Sequence, residues 1–219
     1  MRFSSLTLLC LIMAILPASA QVLYDDGPIN GTTDAWTINF GFVVGDTFIL
    51  LNNSTVTGFN FGVWEYPGDV LTSVDWSVTS HFDSGTMYGS GTASGSNLSD
   101  QFISLNQYGF DIDKITVTGL NLSLNSGTTY WLNLQNATVP TGNPVYWDEN
   151  DGVGCKGDDG HGGGCPSEAD WTSCISAGAL CPPESFDING TAATPEPGSI
   201  VLFGSGVLGL AGALRRKLL

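Results

Sequence analysis

The sequence predicts an all-β fold, a jelly-roll-like β-sandwich. Three observations carry the prediction: apolar residues recur with period two, residues 21–194 show no 3.6-residue apolar stripe, and Gly and Asn interrupt the alternation at short intervals. Strands of this kind bury one face and leave the other wet.

Taken in order, Trp36, Ile38, Phe40 and Phe42 share one face of a first strand, and a weaker strand is expected at 47–51. The Asn52-Asn53-Ser54 turn leads into Phe59, Phe61 and Val63, with Trp64 and Tyr66 near its end in the opposite phase. Val74, Trp76 and Val78 alternate with Ser73, Asp75, Ser77 and Thr79. Weaker strands are expected at 86–92, 102–105 and 114–118. Leu120, Leu122 and Leu124 then precede the Asn125-Ser126-Gly127 turn and Tyr130, Leu132 and Leu134. Further strands are expected at 145–148 and 185–188, giving about ten short strands in all. An up-and-down barrel is the alternative, and the pattern leaves strand order open. Residues 148–183, rich in Gly, Asp and Cys, have little strand signal and read as an insertion between the last two strands.

The two ends differ from this domain. Met1 and Arg2, the apolar block Leu6 to Leu16 and Pro17-Ala18-Ser19-Ala20 have the three regions of a secretory signal peptide, with cleavage expected after Ala20 and Cys10 leaving with the signal. At the other end Thr194-Pro195-Glu196-Pro197-Gly198 precedes an apolar stretch over 199–214, and Arg215, Arg216 and Lys217 follow. As a hydrophobic helix this stretch would rise about 24 Å, short for a bilayer but within reach of snorkelling or local thinning. The basic cluster should stay cytoplasmic and leave the rest outside. Two prolines around Glu196 keep that segment extended, so a protease can reach it.

Pro195, Glu196 and Pro197, the small-residue-rich span and the terminal Arg-Arg-Lys resemble a PEP-CTERM sorting domain. The resemblance covers about the last 25 residues. It implies handling by an exosortase, a membrane-embedded cysteine protease, in a Gram-negative bacterium that makes exopolysaccharide, with transient anchoring in the inner membrane. The chain thus divides into a signal peptide at 1–20, a β-sandwich ectodomain at 21–194 and a sorting and anchor segment at 195–219. Within the ectodomain, Tyr24-Asp25-Asp26-Gly27, Phe61-Gly62-Val63-Trp64, Tyr130-Trp131-Leu132 and Val145-Tyr146-Trp147-Asp148 resemble recurring elements of exported domains that carry the same tail. That resemblance implies one continuous domain and brings no activity with it.

Residues 21–194 carry 20 acids against two bases, Lys114 and Lys156, a net charge of about −18. Such a field repels phosphate backbones and anionic membranes, which argues against nucleic acid as a partner, and it favours divalent cations. Only 12% of residues are charged and 11% are aromatic, the composition of a folded domain rather than a disordered acidic tail.

Cys155, Cys165, Cys174 and Cys181 all fall in the 148–183 insertion. In an oxidising compartment four cysteines in a segment without a core read as two disulfides, with three pairings open. A zinc site from Cys155, His161, Cys165 and Cys174 is the rival, and it lacks the short Cys-x-x-Cys spacing. Asp148, Asn150, Asp158 and Asp159 offer oxygen ligands for a structural calcium ion. Gly152 at the fifth position and Asp159 at the twelfth exclude an EF-hand, and a solvated acidic loop is the simpler reading.

For catalysis the chain has two histidines, His81 and His161, and neither a nucleophile elbow nor a metalloprotease motif. Asp75, Asp111, Asp113, Asp148 and Glu149 are candidates for a paired-acid glycosidase, but among this many acids some pairing arises by chance. The expectation is that the protein is not an enzyme. Trp64, Tyr66, Trp131, Tyr146 and Trp147 are candidates for stacking sugars, whereas Trp36 and Trp76 read as core. The sequence therefore points to an exported structural or interaction protein of the envelope or extracellular matrix. A carbohydrate-binding module is the second reading and a carboxylate glycosidase the third.

Overall fold

A computed structural model describes residues 20–150 and 184–193. The expectations for the signal peptide, the four cysteines and His161, Asp158 and Asp159, the sorting motif, the hydrophobic helix and the basic cluster lie outside these residues. Among the described residues, no helix is long and apolar enough to cross a membrane.

Among the described residues eleven strands form two antiparallel sheets: β1 (Gln21–Asp25), β2 (Ala35–Thr37), β3 (Val43–Ile49), β4 (Ser54–Glu65), β5 (Ser73–His81), β6 (Ser84–Ser94), β7 (Leu98–Leu105), β8 (Asp111–Leu124), β9 (Thr129–Thr138), β10 (Tyr146–Asp148) and β11 (Phe186–Ala192). In the larger sheet β4 is central. One of its edges pairs with β8, which pairs in turn with β7. Its other edge is shared end to end by β11 and β10, which lead outward to β1 and β2. The smaller sheet runs β3-β9-β5-β6. Pairing is nested, β1 with β11, β2 with β10 and β4 with β8 in the larger sheet, and β3 with β9 and β5 with β6 in the smaller.

The inner faces meet in one core. Tyr24 and Phe186 from the larger sheet pack on Phe48 from the smaller, with ring centroids 6.0 and 6.4 Å away, and Phe59 meets Trp76 edge-on at 6.2 Å. Phe61, Val63, Ile115, Val74, Leu132 and Leu134 are fully buried between them, as their period-two placement predicts. Trp36 and Trp76 are half-buried and pack against this core.

Three details depart from the sequence reading. The alternation through Ile38, Phe40 and Phe42 does not continue as strand. Phe40 and Gly41 turn the chain at φ 56° and 87°, the Phe42 amide donates to the Asn39 carbonyl, and Phe40 and Phe42 are exposed. The expected strands at 114–118 and 120–124 are one strand, β8, bulged at Gly119 opposite the register shift between Val56 and Gly58. Gly58 faces that bulge so closely that a Cβ would stand 2.3 Å from the Val117 carbonyl oxygen. Finally, β1 pairs as a full strand and sends Tyr24 into the core, although its sequence shows only Val22 and Tyr24 in phase.

Residues 151–183, most of the expected insertion, lie outside the described residues, and the residues on either side of them are joined. Glu149 and Glu184 form a bridge, and the Ser185 amide donates to the Asp148 carbonyl at 2.8 Å.

Candidate functional site

β4 ends in Trp64-Glu65, and strand alternation sends these neighbours to opposite faces of the larger sheet. Two different environments result.

On the outer face, Trp64 lies beside Tyr146 of β10 and Ile112 of β8 in the sheet register. The β7–β8 connection adds two more rings. Tyr108 stacks on Trp64 with centroids 5.6 Å apart and planes 22° from parallel, and Phe110 lies 5.9 Å from Trp64, 5.2 Å from Tyr66 and 5.7 Å from Tyr146. Asn106 shapes this connection: its Oδ1 accepts from the amides of Tyr108 and Phe110 at 2.9 and 3.0 Å, and its backbone amide donates to the Phe110 carbonyl. Trp64, Tyr108 and Phe110, with Thr33 and Asp34, line a cleft of about 370 Å³. Tyr66 and Tyr108 are 42% and 56% exposed, so solvent reaches the aromatic surface chiefly through them. Burial, and secondarily the nearby Tyr66, pushes the Tyr146 phenol upward and keeps it a neutral hydrogen-bonding group.

Three of the five aromatics named from the sequence, Trp64, Tyr66 and Tyr146, thus come together, and two are placed elsewhere. Trp131 lies on the outer face of the smaller sheet, edge-on to Phe82 at 5.8 Å. Trp147 was expected among the sugar-stacking rings but is fully buried: it packs on Phe61 and Phe186, and its Nε1 donates to the Ser185 carbonyl at 3.1 Å. Trp64 was expected to be exposed and is only 5% so, because the segment from Gly27 to Asp34 covers the outer face above it. Tyr108 and Phe110 were missed. The signal available was their spacing around Gly109, which takes φ 85° in a tight connection.

Asp148, named as a calcium ligand, is committed to the chain. Oδ1 accepts from the Trp64 indole and the Gly31 amide, and Oδ2 from the Asn30 amide and the Ser185 hydroxyl. Burial pushes its carboxyl up, against the pull of those donors. Asn150, its proposed companion, donates through Nδ2 to the Asp26 carbonyl. Both residues therefore tie the ends of the insertion to the domain. The same region buries Asp26 and Asp46: Asp26 accepts from the Tyr24 hydroxyl at 2.9 Å and is raised by burial and then by Asp46, which accepts from the Glu184 amide.

On the inner face, Glu65 stands opposite Asp111, and Asp113 stands two residues further along β8. Glu65 is fully buried and Asp113 is 4% exposed. Burial, followed by Asp100 and Asp113, pushes Glu65 up to about 8. Burial, followed by Asp100 and Asp111, pushes Asp113 up to about 7. Asp75, another glycosidase candidate, lies on the smaller sheet and accepts from Thr92 and Asn136.

No curated protein is significantly similar to the chain. One family model matches, that of the PEP-CTERM protein-sorting motif, over residues 193–217. The chain is thus a PEP-CTERM sorting-domain-containing protein, exported and sorted by an exosortase.

Proposed function

We propose that the exported domain is a non-catalytic, carbohydrate-binding interaction module of the cell envelope or exopolysaccharide matrix, built as a jelly roll and delivered by its tail. The observation that carries this reading is the cleft that Trp64, Tyr108 and Phe110 line with Thr33 and Asp34, continued by Tyr66 and Tyr146, which pack on Phe110. The apolar face of a pyranose stacks on exposed phenol rings, and Thr33 and Asp34 offer the polar groups that orient its hydroxyls. The nested pairing of β1 with β11, β3 with β9, β4 with β8 and β5 with β6 supports the jelly-roll topology.

A net charge of about −18 over residues 21–194 repels polyanions at long range, so the ligand is a neutral glycan rather than an acidic one. The non-catalytic reading is supported by the placement of the carboxylates with raised pKa values: Glu65 and Asp113 face the inside of the sandwich, away from the cleft, and Asp148, behind Trp64, is taken up by four donors of the chain. Glycan-array binding by the full chain in detergent tests the proposal. Binding to neutral polysaccharides without their cleavage is expected. Retention of acidic glycans alone, or turnover abolished by one Asp-to-Asn or Glu-to-Gln change, counts against it.

A further inference from the structure

A second cleft, of about 300 Å³, lies where the chain enters β3 and leaves β9, lined by Asn39, Phe40, Asn136, Thr138 and Asn143 among others. Among the described residues that line it none is charged, although residues 21–194 carry a net charge of about −18. Hydrogen bonds hold its walls. The Ala137 amide donates to the Ile38 carbonyl at 3.0 Å, and buried Asn39 donates through Nδ2 to the Asn143 carbonyl at 3.0 Å and accepts from the Val145 amide at 3.4 Å. Asn136 and Asn143 each donate through Nδ2 to an acid, Asp75 and Asp69 respectively, both at 2.9 Å. Those bonds fix the two carboxamides and leave their carbonyl oxygens as acceptors.

Of the three non-glycine residues with left-handed backbone among the described residues, two line this cleft: Phe40 at φ 56° and Asn136 at φ 51°. Asparagine adopts this conformation readily, whereas for a bulky side chain it is a strained one. Phe40 is 64% exposed, so burial of its ring offsets little of that strain. Glycine would make the same turn freely, as Gly41 does beside it at φ 87°. A large ring held in solvent on a strained backbone, at the mouth of a cleft, is the kind of outlier that marks a binding site.

We propose that this cleft is a second carbohydrate subsite, in which Phe40 stacks on the apolar face of a neutral sugar and Asn136, Thr138 and Asn143 take its hydroxyls. An ion would find no opposite charge there, and a purely apolar ligand would strand the amides, whereas a sugar satisfies both the ring and the amides. The inference takes its ligand class from the proposed function but rests on different residues. The same two segments serve both clefts: Tyr146 pairs with Thr37 at the first, and the Ile38 amide donates to the Val145 carbonyl toward the second. A polysaccharide that engages both clefts gains avidity, so the loss of either lowers its affinity.

The test is calorimetric titration of the full chain, in a detergent without a sugar headgroup, with cellohexaose, maltohexaose and laminarihexaose. It compares the wild type, Phe40→Gly and the double variant Tyr66→Ala and Tyr108→Ala. At least one oligosaccharide is expected to bind with a component that Phe40→Gly weakens at least tenfold and that the double variant retains. Phe40→Gly should keep Tm within about 3 °C of the wild type, because glycine accepts the left-handed turn. Should it fail to fold, Asn136→Gly, at the other left-handed position, carries the same test. Binding that Phe40→Gly removes and the double variant leaves at the wild-type level supports this cleft and contradicts the first. Binding that Phe40→Gly leaves unchanged, binding that both variants abolish alike, or the failure of all three oligosaccharides to bind would overturn the proposal.

Discussion

The indole of Trp64 donates to Asp148 Oδ1, so the floor of the aromatic cleft hangs from the residue that closes β10. Asp148 also holds the Asn30 and Gly31 amides, each at 3.0 Å, and the Ser185 hydroxyl at 3.1 Å. One carboxylate thus joins the cleft, the covering segment and the base of the Cys-rich insertion. Asp148→Ala strands these donors at a cost of about 1–3 kcal/mol for each that stays buried and unpaired. A loss on the order of 3–5 kcal/mol is expected in urea unfolding, with Asp148→Asn milder because it keeps one acceptor.

Trp147 and Tyr108 should separate stability from recognition. Trp147 is fully buried, and Trp147→Ala should cost about 3–5 kcal/mol in the same measurement. Tyr108→Ala loses one exposed stacking partner and should cost about 1 kcal/mol or less.

The strand pattern was legible because a sandwich buries alternate residues. Phe59, Phe61 and Val63, and Tyr130, Leu132 and Leu134, stand where their phase puts them. The same phase carries Glu65 inward, a reading available from β4 alone but obscured because a charged residue in an inward position breaks the apolar pattern. The error at Phe40 and Phe42 came from an alternation that persists through a turn. The cleft was half legible. Which tryptophans are covered depends on the register of β10 against β4 and on the segment above it, and no local pattern encodes either. Tyr108 and Phe110 join the cleft only because the β7–β8 connection returns beside the end of β4.

The buried acids set the pH response of the protein. Glu65, pushed up to about 8, is faced by Asp100 of β7, Asp111 and Asp113 of β8 and Asp69 of the β4–β5 connection. Asp113 is pushed up to about 7. Both groups bind protons more tightly folded than unfolded, so stability is greatest below the ordinary carboxylate range and falls as pH rises toward 8. Thermal melts should show Tm declining between about pH 4 and pH 8, and a rising Tm over that window would contradict these burials.

Chemical state should follow the two ends and the insertion. Thiol titration of unreduced, denatured protein is expected to find no free cysteine among Cys155, Cys165, Cys174 and Cys181. Four titratable thiols with stoichiometric zinc would reverse that expectation. Intact-mass measurement of native envelope material should give a chain beginning at Gln21 and cut near Pro195 to Pro197, and intact tails in exosortase-competent cells would contradict the cut.

The most direct test of the glycan-binding account compares the wild-type chain with the double variant Tyr66→Ala and Tyr108→Ala for binding to a neutral polysaccharide that the wild type retains, with melts alongside. The account predicts at least a tenfold loss of affinity with Tm changed by only a few degrees, since both rings are substantially exposed. Undiminished binding by a folded double variant would contradict it.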